Sequence, residues 1–247
     1  MTTAAVLPAF LTFDPVLLTL VCTACVLLYW YLKNTYSVFN ELNVPGPTPK
    51  WVFGNIGEFK DKFPLEVFKE WRKTYGNIFG FFEGFKPSIV ITDPEMAKQV
   101  LVKHFDKFHV RPIYNPFVYY PDDLSLLNTY GEINGVPFRK GWVVRIMLCT
   151  VYNDESFFPK PEVFDSDRFT TEEKEKRHPY TFLPYGQGPR MCPGYHIGVF
   201  QTKAALVKIL RKYVIESSPQ TVDPLPVALR PMLSPKDGVC VKLTKRT

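Results

Sequence analysis

Cysteine is scarce in this sequence: five residues in 247, at Cys22, Cys25, Cys149, Cys192 and Cys240. Such spacings exclude a disulfide framework and offer no paired metal-knuckle pattern, which points to a reducing compartment. Low-complexity tracts and aromatic-basic interleaving are also missing, so nucleic acid is not expected as a partner. The net charge of +6 leaves an anionic lipid surface or an acidic protein as partners. Disorder does not fit an apolar content of 46%. What abounds is aromatic side chains and proline, with 21 Phe, 13 Tyr and 23 Pro spread along the chain, a composition suited to a globular protein with many rigid turns.

Charge is absent between Pro15 and Leu32. Val16 to Leu32 would rise about 25 Å as a helix, close to the hydrocarbon thickness of a bilayer. Tyr29, Trp30 and Tyr31 stand where an interfacial aromatic belt belongs, and Lys33 follows. Nothing basic precedes the segment, whereas Lys33, Lys50, Lys60 and Lys62 come after it. The expectation is a single-pass, uncleaved anchor over residues 1–33 with the globular part in the cytosol; a cleaved signal peptide is the competing reading. Cys22 and Cys25 have the spacing of a redox or zinc half-site, but in this apolar stretch they read as small apolar side chains. Val44-Pro45-Gly46-Pro47-Thr48-Pro49 then fixes an extended path, expected as a stiff spacer within a hinge over residues 34–50.

Residues 51–247 read as an α+β unit, mainly helical, with small β elements. Pro64 to Tyr75 is predicted helical, with Pro in the first turn and Gly76 as the stop. Ile78 to Phe82 and Ser88 to Ile91 form a predicted hairpin about Gly84, and Asp93 caps a helix running to about His104. Arg111 to Asn128 shows no period. Asn134-Gly135 marks a tight hairpin, and Trp142 to Leu148 a strand. Tyr152 to Phe169 reads as loop, as does the charged run Glu172 to Arg177. After Gly194 a helix is expected to about Tyr213, with Ile197, Phe200, Ala204, Val207 and Leu210 on one stripe.

The stretch that carries chemistry is Phe182-Leu-Pro-Tyr-Gly186-Gln-Gly188-Pro-Arg190-Met-Cys192-Pro-Gly194. Gly186 and Gly188 permit positive-φ turns that aim backbone amides at one sulfur, and Gly194 lets the following helix approach a flat ligand closely. At a helix N-terminus the partial positive charge favours the thiolate, the form that binds iron. Arg190 would project toward an anionic propionate, and Phe182 would pack over the sulfur.

This stretch resembles the haem-binding signature of cytochromes P-450, Phe-x-x-Gly-x-x-x-Arg-x-Cys-x-Gly, at every fixed position. Other segments are similar to the microsomal members of the family, particularly the family three drug- and steroid-oxidising type. Pro45-Gly-Pro resembles the proline hinge, and Pro161 to Phe169 the meander, with Ser166 where a Pro is usual. The resemblance implies a partial cytochrome P-450 fold with an N-terminal transmembrane helix, and haem b held by Cys192 as the iron's axial ligand. The remaining cofactor contacts would come from Phe182, Gly186, Gly188, Arg190 and Gly194. It also implies a monooxygenase of lipophilic small molecules in the endoplasmic reticulum membrane, fed by an NADPH-dependent reductase. Lys208, Arg211 and Lys212 lie at helical spacing and either belong to the reductase-docking face or form a solvated helix surface.

The sequence departs from that pattern in one block between about 111 and 131, where family members carry their central helices. It has no Glu-x-x-Arg pair to join the meander arginine, Arg168, no Gly-x-Asp/Glu-Thr arrangement for proton delivery and no Trp-x-x-x-Arg. Three readings follow: a monooxygenase, a membrane-tethered haem-binding protein without oxygenase activity, and a structural remnant in which Cys192 only packs.

Overall fold

The computed structural model describes residues 14–110, 123–126, 131–229 and 233–246. Asp14 starts the first helix, α1 (Pro15–Tyr36), by accepting the Val16 amide at 2.9 Å, with Pro15 at the first helical position. The helix is exposed from Pro15 to Tyr31. Among the described residues, the helical stretch Pro15–Glu41 is long and apolar enough to cross a membrane.

Burial begins at the lower end of α1. Leu32 is enclosed, and so are Val38 and Phe39 of α2 (Val38–Glu41) and Val44 beyond it. Pro45 accepts the Gly80 amide at 2.8 Å, and a Cβ on Gly46 would lie 1.9 Å from the Gly80 carbonyl oxygen. Asn55 Nδ2 donates to Thr48 O at 3.1 Å. The proline-rich stretch lies against the globular part, where its backbone groups find partners.

Helix α3 (Pro64–Tyr75) has the predicted bounds and buries Val67, Phe68 and Trp71; Gly76, at φ 90°, ends it. Strands β1 (Ile78–Glu83) and β2 (Lys86–Ile91) pair antiparallel around Gly84. Helix α4 (Pro94–Lys98) is capped by Asp93, whose carboxylate accepts the Met96 amide at 2.7 Å. The single helix expected to His104 instead changes after Lys98 into a π-helical turn, Gln99–Lys103, followed by α5 (Phe105–Phe108).

Part of the segment expected to be irregular is a strand, β3 (Asp123–Leu126); the rest of 111–128 lies outside the described residues. Strands β4 (Gly131–Ile133) and β5 (Val136–Phe138) form the predicted Asn-Gly hairpin, with φ 50° at Asn134 and 80° at Gly135. Strand β6 (Val143–Ile146) runs parallel to β2 and antiparallel to β3, giving the sheet order β1-β2-β6-β3. Alternation divides the core. Phe79, Phe81, Val90 and Met147 pack on α3, while Phe82, Ile89, Ile91, Val144 and Ile146 pack on the α2 and α4 side. Each fully buried Phe contributes about 1.5–3 kcal/mol. Buried Glu83 and Arg145 pair within this sheet, and the Arg145 guanidinium lies 5.8 Å from the Phe81 ring centre.

Helix α6 (Leu148–Val151) leads into the long loop, which contains α7 (Thr171–Glu175) where a solvated loop was expected. Thr170 caps α7, and Glu172 and Glu173 in its first turn favour the helix dipole. Helix α8 (Tyr195–Leu210) precedes β7 (Tyr213–Ser217), β8 (Val227–Leu229), β9 (Leu233–Pro235) and β10 (Val241–Lys245), which pair as β7/β10 and β8/β9. No residue of α8 is buried: the apolar stripe read from the sequence is open, with Ile197 64% and Phe200 72% exposed. Helices and small sheets together make the α+β composition read from the sequence.

Candidate haem-thiolate site

The loop from Phe182 to Gly194 is fastened to the fold at several points. At its base His178 Nε2 meets Glu95 of α4 at 3.2 Å, and Thr181, which is buried, donates to His178 O at 2.8 Å. The hydrogen bonds from His178 and then Gln99 hold the Glu95 carboxyl below its ordinary value. The Leu183 amide donates to the Tyr152 hydroxyl at 2.9 Å. Further along, Gly188 sits against the π-helical turn: a Cβ there would be 2.3 Å from Leu101 O. Gly186 and Gly188 take φ of 72° and 80°, the left-handed geometry the sequence predicts for them.

These turns bring the loop back on itself. The Cys192 amide donates to Tyr185 O at 2.9 Å, and the Tyr195 amide donates to Cys192 O at 3.2 Å at the head of α8. Gly194 is the N-cap. The Cys192 thiol is free and exposed. A Cβ added at Gly194 or at Gly198 would meet nothing within 4 Å, so the first turns of α8 have an open face. Arg190 makes no ion pair among the described residues. Phe182 is placed in a ring cluster at the start of the loop, with centroids 4.7 Å from Phe169 and 5.0 Å from Tyr152.

That cluster rests on the meander. Arg168 donates from Nη1 to Pro159 O at 2.5 Å and from Nη2 to Lys160 O at 2.7 Å. Its Nε is buried without a hydrogen bond among the described residues, Asp165 Oδ2 being 3.8 Å away. Arg177 donates to Arg168 O and lays its guanidinium 4.7 Å from the Phe158 ring centre and 5.6 Å from that of Phe169. Sequence reading left Arg177 in a solvated charge run. The Arg168 carbonyl and the rings of Phe158 and Phe169 give it a place, and no local pattern announces them.

A flat, largely apolar group carrying its own metal fits these residues. The thiol is accessible, the helix beside it presents an open apolar face, and an unpaired arginine is available for an acidic substituent. Among the described residues no three of His, Cys, Asp and Glu stand together as a metal-binding group.

Comparison with known proteins agrees on the class. The chain matches the family Cytochrome P450 over residues 44–132 and 127–241. It is 37% identical over 115 residues to a protein named Thromboxane-A synthase from Mus musculus, an alignment covering 47% of this chain and 22% of that relative. A similar alignment, 35% identical over 115 residues, joins it to Cytochrome P450 3A12 from Canis lupus familiaris, covering 23% of that protein.

Proposed function

We propose, for a chain that belongs to the cytochrome P450 family, that Cys192 is the axial thiolate ligand of haem b in a membrane-anchored protein. The observation that carries this reading is the free thiol at the head of α8, held by a closed glycine loop beside an open apolar face. When bound, haem supplies the iron at which dioxygen is activated for oxidation of lipophilic small molecules. The chain's own residues have simpler tasks. The loop hydrogen bond from Cys192 N to Tyr185 O orients the cysteine, and the helix terminus favours its charged form. Arg190 pairs with a propionate, Gly186 and Gly188 supply the positive-φ turns of the loop, and Gly194 lets α8 approach the ring closely. Phe182, anchored by Phe169 and Tyr152, limits water near the sulfur. The α1 segment crosses the endoplasmic reticulum membrane once, with residues 51–247 in the cytosol, where an NADPH-dependent reductase docks on the basic face that includes Lys208, Arg211 and Lys212.

One observation favours the second reading, haem binding without oxygenase turnover. Large apolar side chains of α8 and of the β7/β10 pair are exposed, among them Phe200 at 72% and Leu243 at 47%. Oxygen activation needs a dry cavity, and the open face of α8 does not enclose one.

The reduced, carbon-monoxide difference spectrum of the detergent-solubilised chain, with Cys192→Ala beside it, tests ligation. A strongly red-shifted Soret band abolished by the substitution is expected. No retained haem, or a band indifferent to Cys192, would leave only the remnant reading. Substrate-dependent NADPH consumption with added reductase then separates the monooxygenase from the tethered haem protein.

A further inference from the structure

We propose that the cleft between the second half of α3 and residues 150–155 binds a phosphate monoester, clasped by Lys69 and Lys73.

The cleft has a volume of about 600 Å³, with Lys69, Arg72, Lys73 and Asn77 on one side and Asp154 and Glu155 on the other. That volume is in the range of small-molecule sites. Lys69 and Lys73 stand four residues apart on α3, so their stems leave the helix on one face, about 6 Å apart.

Arg72, between them in sequence, is already engaged. Asp154 Oδ2 lies 2.5 Å from its Nη2, and Asn77 Oδ1 accepts from its Nε at 3.0 Å. The Arg72 and Asp154 charges cancel, and the bond to Arg72 turns the Asn77 carboxamide so that Nδ2 is left as a donor. Lys69 and Lys73 make no ion pair among the described residues, and like charges at their spacing repel. Of the acids that line the cleft, Glu155 is left to oppose them, and it is exposed. Lys69 is half-buried, and burial pushes its ammonium below its ordinary value against the opposing pulls of Cys149 and Glu66. A charge drawn partly out of water without a counterion is unfavourable, and a bound anion offsets that penalty.

The charge balance selects the ligand. Two ammonium groups match the charge of about −1.5 to −2 that a phosphate monoester carries near neutral pH. A carboxylate or a phosphodiester, with a single charge, leaves one of them uncompensated. The Asn77 amide adds a third donor for the phosphate oxygens. A bare phosphate does not fill the cleft, and Thr150 and Asn153 complete its walls, so the other half of the ester is polar, such as a polyol.

The test uses the full chain in neutral detergent and equilibrium dialysis of radiolabelled glucose 6-phosphate. Saturable binding of one molecule per chain is expected, with inorganic phosphate competing and dimethyl phosphate, a monoanion, failing to compete. Lys69→Met and Lys73→Met are each expected to weaken binding about ten-fold or more, and Lys69→Arg to retain most of it. Glu155→Gln is expected to tighten binding; at an exposed position, it reads the site even where a lysine variant does not fold. Lys86→Met, which does not line the cleft, is expected to change nothing. Binding that does not saturate, or that falls as much with Lys86→Met as with Lys69→Met, is general attraction to a basic chain and overturns the proposal, as does an absence of binding. Repeating the dialysis with the chain in phosphatidylcholine nanodiscs identifies the source of the phosphate. Phosphatidic acid that lowers occupancy where phosphatidylserine does not shows that a lipid headgroup reaches the cleft, and occupancy indifferent to both assigns a soluble metabolite.

Discussion

Replacing Gly188 with alanine is expected to loosen the thiol-bearing loop by a calculable amount. Two penalties combine. The residue is at φ 80°, which costs a residue with a Cβ about 1–2 kcal/mol. The new Cβ would also lie 2.3 Å from Leu101 O and 3.3 Å from Val102 Cγ2. The nearer atom is backbone, which cannot swing aside, so a further 1–3 kcal/mol or so of overpacking is expected. Together these reach about 2–5 kcal/mol, a large share of a typical folding free energy. Gly135→Ala is the matched control, because Gly135 has the same φ of 80° and open space around its Cα. It should lose only the conformational part. Urea unfolding of both variants in detergent, followed by far-ultraviolet circular dichroism, measures the difference, and haem retention by the carbon-monoxide spectrum should fall with Gly188→Ala. Equal destabilisation of the two, within about 0.5 kcal/mol, would refute the close approach of the loop to the π-helical turn.

Arg177→Met should cost about 1–2 kcal/mol in urea midpoint, and Arg177→Lys should recover little of it, because a point charge does not reproduce the planar guanidinium over Phe158 and Phe169. Cys192→Ala should leave unfolding of the haem-free chain unchanged to about 0.5 kcal/mol, since the side chain is exposed, while removing the thiolate spectrum. Burial pushes the Asp154 carboxyl up, but hydrogen bonds from the Ser156 hydroxyl and amide and from Arg72, at 2.5 Å, hold it below the ordinary carboxylate value. A depressed folded value stabilises above the unfolded one, about 3.9, and that stabilisation is lost as pH falls through the folded value. Asp154→Asn should therefore cost about 1–2 kcal/mol at neutral pH and progressively less below about pH 4, read from urea midpoints across that range.

Elements with local causes were legible. Helix α3 and the two hairpins follow from Pro64, Gly76, Gly84 and Asn134-Gly135, residues whose own backbone preferences decide the geometry. The positive φ of Gly186 and Gly188 was legible for the same reason. Elements made by distant partners were not. Strand β3 exists because β6 pairs with it, the π-helical turn breaks a pattern that reads as one helix, and Arg177 gains its role from rings it meets only in the fold. The α8 stripe was legible from its period, yet period says nothing about whether a partner is present. Within the site, the thiol and its glycine turns were visible in the sequence, whereas the fastening through Glu95, Leu101 and Tyr152 was not.

The seat of Gly188 on Leu101 also imposes an order in time. Roughly 90 residues separate the π-helical turn from Cys192, so at about 5–20 residues per second the ribosome delivers the thiol some 5–20 s after the surface that receives its loop. The sheet around β2 and the helix behind it can be assembled before the cysteine emerges. The loop can then close onto a platform that already exists.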